Sequence, residues 1–88
     1  MTRYKRAVEL MEAELGDELV ALDPGAGECF GFNNVAASVW RQLEQPKSVD
    51  QLKAALLEEY DVDPQQCERQ LNELLNDLSS KGLVAVTA

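Results

Sequence analysis

The sequence predicts an α+β fold in which a three-stranded antiparallel sheet is followed by three helices, in the order βββααα. Three observations point there. Apolar residues before Asn33 alternate or form short runs bounded by Gly and Pro. After Asn33 their spacing changes to one, three and four. Each helical stretch also begins at a capping residue. With 88 residues there is room for one domain, spanning 1–88 with its core over roughly 8–86.

Residues 8–15, VELMEAEL, partly alternate. Gly16-Asp17 then offers a tight turn before the run Leu19, Val20, Ala21, Leu22, which predicts a hairpin. Asp23-Pro24-Gly25-Ala26-Gly27 reverses the chain again, so Glu28 to Phe32 becomes the third strand of a meander. Either Asn33 or Asn34 can cap the first helix, whose apolar positions are Val35, Ala36, Val39, Trp40 and Leu43. Gln45-Pro46-Lys47 breaks it. Ser48-Val49-Asp50-Gln51 has the form of a capping box and opens a second helix, with a stripe of Val49, Leu52, Ala55, Leu56 and Tyr60. Asp63-Pro64 places a cap before a proline at the first helical position. Cys67, Leu71, Leu74, Leu75 and Leu78 share one face of this third helix, which Lys81-Gly82 closes. Beyond it, Leu83, Val84 and Val86 either pack back on the core or add a short strand over 84–86.

Composition excludes several classes of function. Eight Lys and Arg against 16 Asp and Glu give a net charge of -8, which opposes a phosphate backbone. The one basic cluster, Arg3, Lys5 and Arg6, stands at a terminus expected to fray. No apolar stretch approaches the roughly 18 residues of a membrane span, and the N-terminus lacks a signal-peptide core, so a cytoplasmic protein is expected. There is no histidine. Two cysteines therefore cannot complete a zinc site, and neither a Cys/His nor a Ser/His nucleophile can be assembled within the chain. No metal and no cofactor are expected, and no catalytic residue is assigned.

Individual residues read mostly as structure. Glu58, Glu59, Glu68, Glu73 and Asp77 fall on polar helix faces. Trp40 and Phe32 belong in the core, as does Cys67. Cys29 alternates with Phe30 and Phe32, which puts it on the opposite sheet face. Gly25, Gly27 and Gly31 precede no G-K-[S/T], so no phosphate loop forms. One feature remains. The third strand is uncharged after Glu28, and as a sheet edge beside the third helix it would offer backbone hydrogen bonds to an added peptide strand.

The run GDELVALDPGAGECFGFNNVAASVWRQL, the capped helix SVDQLKAALLEEYDVDP and CERQLNELLNDLSSKGLV together resemble the PqqD-like family of leader-recognition domains over residues 15–84. The F-G-F-N of Phe30 to Asn33, the helix with Val39-Trp40, the Tyr60-Asp61-Val62-Asp63 linker and Gly82-Leu83-Val84 carry the resemblance. It implies a winged-helix-like scaffold, no enzymatic activity, and binding of the leader of a ribosomally made precursor peptide. The leader would add as a strand to Cys29, Phe30, Gly31 and Phe32, with Glu28 at the start of that strand. Its other wall would come from Cys67, Gln70, Leu71 and Leu74. At Gln70 the sequence departs from the family, which often has an acidic residue there.

The F-G-F-N stretch and the Trp40 helix look more like the free-standing leader binders of lasso-peptide clusters than the protein of the pyrroloquinoline quinone pathway. The implied partners are the leader and a modifying enzyme: a leader protease, a cyclase or a radical-SAM enzyme. No nucleic acid or membrane partner is expected, and the chain is expected to be a monomer or weak dimer. Three rivals share the composition: a winged-helix DNA-binding regulator, a small acidic enzyme or redox protein using Cys29 and Cys67, and a scaffold subunit binding another protein through the same edge. Residues 64–81 hold Arg69 and Lys81 against Glu68, Glu73 and Asp77, so charge argues against the first.

Overall fold

The computed structural model describes residues 2–16 and 18–87. Five strands and three helices follow in the order β1 (Arg3–Arg6), β2 (Met11–Leu15), β3 (Glu18–Asp23), β4 (Glu28–Phe32), α1 (Asn34–Gln42), α2 (Val49–Glu59), α3 (Pro64–Ser80) and β5 (Val84–Thr87). The α+β class and the three helices are as the sequence predicts, and the βββααα order is not. The meander β2-β3-β4 is one antiparallel sheet, while β1 and β5 form a second, two-stranded one.

The basic N-terminus is thus a strand rather than a frayed end. Arg3 pairs with Thr87 and Arg6 with Val84, and Tyr4 exchanges two backbone bonds with Lys47 at 2.7 and 2.9 Å. Four residues, three of them basic, give no local strand signal. What orders them is a partner about eighty positions away, which no window of sequence displays. The first arm of the hairpin is also shorter than 8–15, because Val8 and Leu10 leave the ladder to pack on the core.

Local chemistry accounts for the turns and helix ends. Gly16 adopts φ +66 in the link between β2 and β3, and the other turn residue, Asp17, lies outside the described residues. In the next turn the Asp23 carboxylate accepts from the amides of Gly25 (3.0 Å) and Ala26 (3.2 Å). Asn33 caps α1 through Ala36 N–H, Ser48 and Gln51 close a reciprocal capping box on α2, and Asp63 caps α3 through Gln66 N–H. At the end of α3, Gly82 takes φ +75 while Gly82 N–H and Leu83 N–H donate to the carbonyls of Ser79 and Leu78. This is the paired bonding of a Schellman motif, and it turns the chain straight into β5.

The core lies between one face of the meander and the helices. Leu19, Ala21 and Phe32 from the sheet meet Val39, Trp40 and Leu43 of the α1 region, Leu52 and Leu56 of α2, and Cys67, Leu71, Leu75 and Leu78 of α3. Trp40 is fully enclosed, with the Phe32 ring 5.6 Å away and the Arg6 guanidinium 4.6 Å above its own ring. Arg6 also donates twice to the Trp40 carbonyl, at 3.0 and 2.7 Å, which ties β1 to α1. Among the described residues, no helix is long and apolar enough to cross a membrane.

Candidate functional site

In the meander β4 is an outer strand, paired on one side with β3 from Leu19↔Phe32 to Asp23↔Glu28. Its other side faces α3 across a groove of about 330 Å³. Cys29, Phe30, Gly31 and Phe32 form one bank, Leu74, Asp77, Leu78 and Lys81 the other, and Asn33 and Ala36 close the end where α1 begins. Pleating divides β4 cleanly. Phe30 and Phe32 turn toward the core side, whereas Cys29 and Gly31 are exposed on the opposite face.

Helical spacing builds the facing wall. Residues 74, 77, 78 and 81 recur at three and four, so they form a continuous ridge along the C-terminal half of α3. Leu74 and Leu78 give it an apolar floor, and the Lys81 ammonium lies 2.9 Å from the Asp77 carboxylate at its rim. That exposed pair contributes little stability. An extended peptide laid here would find unpaired strand groups on one bank and alternating apolar contacts on the other.

Of the residues the sequence singles out, five line this groove: Cys29, Phe30, Gly31, Phe32 and Leu74. Glu28, at the exposed start of β4, is beside it. Cys67, Gln70 and Leu71 lie elsewhere, in a smaller apolar pocket with Val35, Leu56, Tyr60 and Val62. Cys67 and Leu71 are themselves buried core residues. Asn33, Ala36, Asp77, Leu78 and Lys81 also line the groove, beyond the residues that the sequence singles out. The signal that could have found Asp77 and Lys81 is the 70, 74, 77, 81 stripe, which extends the face bearing Gln70 and Leu74 by two more turns. A larger cavity of about 530 Å³ is lined by Arg6, Glu9, Glu12 and Glu44 among others. Ala7, Val8 and Leu10 line it as well.

The family model described as coenzyme PQQ synthesis protein D (PqqD) matches residues 18–84, which contain the meander from β3 onward, all three helices and the whole groove. The chain belongs to the PqqD family. Two solved structures share its fold. One is TbiB1 in complex with the TbiA(beta) leader peptide, 32% identical, covering 91% of this chain and 93% of that one with a TM-score of 0.78. The other is lasso peptide synthetase B1 complexed with the leader peptide, 26% identical, covering 93% of this chain and 96% of that one with a TM-score of 0.77. Among curated proteins none matches the sequence. Both likenesses extend over more than nine tenths of this chain.

Proposed function

We propose that this chain binds the leader of a ribosomally made precursor peptide as an added antiparallel strand on β4, walled by α3, and presents it to a modifying enzyme. The observation that carries the reading is the groove itself: an edge strand uncharged from Cys29 to Phe32, opposite an apolar helix ridge of Leu74 and Leu78. Main-chain hydrogen bonds provide affinity that tolerates sequence variation, and the ridge selects side chains. Membership in the PqqD family supports this, as do two relatives solved with leader peptides. The relatives favour a lasso-peptide pathway over quinone biosynthesis. In this scheme the scaffold is winged-helix-like, and the covalent chemistry belongs to the enzyme. The protein contributes by raising the effective concentration of the precursor at that enzyme.

An NMR titration with the leader of the cognate precursor tests the reading. Amides of residues 28–33 and 70–81 shift together as the peptide is added. Shifts confined to the β1–β5 sheet or to α2 would reject the groove. Modification of precursor by this chain alone would reject the non-catalytic role.

A further inference from the structure

Side chains of paired residues stand in rows across the exposed face of the meander. One row is Met11, Leu22 and Cys29, the next is Ala13, Val20 and Gly31, and a third is Leu15 and Glu18. The middle row holds the smallest side chains, so it forms a slot running from β2 to the open edge of β4. Its walls stand in solvent, with Met11 63% exposed, Leu15 64% and Leu22 39%. Val20 on its floor is half-buried.

The slot is open at the β4 end because residue 31 is glycine. Nothing inside the chain calls for one there. Gly31 is not among the glycines with positive φ, and a Cβ added to it would meet nothing within 4 Å. Glycine weakens a strand interior, and where neither conformation nor crowding accounts for it, the reason left is close approach of a ligand or another backbone.

Hydrogen-bond phase says what approaches. Leu15 and Glu18 pair across a two-residue link, so that pair exchanges bonds and the pairs alternate from it. Val20 and Leu22 then direct their backbone groups to β2, and Leu19, Ala21 and Asp23 direct theirs to β4. The Asp23 carbonyl agrees, accepting from Gly27 N–H at 2.8 Å. Cys29 and Gly31 are left with N–H and C=O turned to the open edge. A leader residue added opposite Gly31 is therefore held by two backbone bonds, and the pleat sends its side chain onto the exposed face, over the glycine.

We propose that Gly31 is a specificity residue: the leader residue opposite it is aromatic, and its ring lies over Gly31 against Val20. This rests on leader addition to β4. Val20 stands two strand spacings from the leader, roughly 10 Å. A ring reaches about half that distance from its own backbone and meets the Val20 methyls coming the other way, whereas an Ala or Val side chain stops above Gly31. The ring covers the bare glycine backbone and gains an aromatic–β-branched contact.

The test uses the intact chain and the leader of the cognate precursor. In the wild-type complex, Hα–Hα NMR contacts to Phe30 and Phe32 bracket the leader residue opposite Gly31, because pairs without hydrogen bonds bring their Cα atoms closest. That residue should be Phe, Tyr or Trp, with ring contacts to the Val20 methyls. Replacing it with Ala should weaken binding at least tenfold by calorimetry. Gly31→Val should weaken binding of the unaltered leader at least tenfold as well, without lowering the melting temperature of the free chain. The two losses should not add: the Ala-substituted leader should bind the Gly31→Val chain and the wild type within twofold of each other. An aliphatic or polar residue at the bracketed position overturns the inference, as does a Gly31→Val chain that binds the leader like the wild type. Additive losses overturn it too, since valine would then obstruct strand pairing in general. A wild type that binds no leader, or binds it without contacts to Phe30 and Phe32, refutes the proposed function and this inference with it.

Discussion

The three-stranded sheet has two outer strands, and they are finished in opposite ways. Along β4 no charge follows Glu28, and the strand borders an apolar ridge of α3. Along β2 every second residue is a glutamate engaged by α1: Glu12 by the Trp40 indole, Glu14 by Arg41. An edge is a hazard unless charge, covering or a partner occupies it. Here one edge is bound into the protein's own polar network, and the other is the one on which the leader is proposed to add. On that proposal, the contrast lets one small sheet accept a peptide on one side without pairing indiscriminately on both.

The most severe break in this contrast is Leu74→Asp. Placing a carboxylate in the apolar wall should weaken leader binding by about a hundredfold, or roughly 2.7 kcal/mol, while the helix content of the free protein is kept. Leu74→Ala, which removes the contact without adding charge, should cost about tenfold in the same calorimetric titration. Loss of neither would mean that the ridge does not touch the leader.

Substitution at the other edge should act on stability instead. Glu12→Ala leaves the enclosed Trp40 N–H without its acceptor and Arg6 without its carboxylate at 3.7 Å. A loss of about 1–3 kcal/mol is expected in urea denaturation, with leader affinity changed less than twofold. Smaller still is Glu14→Ala. Its partner Arg41 is nearly half exposed, so the change should stay within about 0.5 kcal/mol. A large effect of Glu14 on leader affinity would erase the distinction between the two edges.

Much of this architecture was legible in sequence because it is written in local chemistry. Asn33, Ser48-Gln51 and Asp63-Pro64 cap where their types require, Gly82 closes α3, and Trp40 and Phe32 are enclosed as their size suggests. What escaped is non-local. β1 exists through its pairing with β5 at the far end of the chain, and nothing in Arg3-Tyr4-Lys5-Arg6 announces it. The inward glutamates of β2 escaped for a related reason. Nothing local marks Glu12 and Glu14 as facing the helices, because Trp40 and Arg41 come opposite them only in the fold.

The candidate groove divides along the same line. Its strand bank, Cys29 to Phe32, follows from an uncharged run between a turn and a helix cap. Its helix bank depends on how far α3 slides along the sheet, which periodicity leaves open. The structure puts the half from Leu74 to Lys81 beside β4, while Cys67 and Leu71 are turned into the core.

The β1–β5 pairing has an engineering consequence. Arg3 stands directly across from Thr87, so the two ends of the fold leave it side by side on one ribbon. A host protein could receive the whole unit within a single surface loop, with its own loop ends held only a strand's width apart. Such a graft would need short spacers and little loop-closure entropy, and would carry the groove intact because β4 and α3 lie outside the ribbon. Leader affinity in a loop-grafted chimera should therefore match that of the free protein.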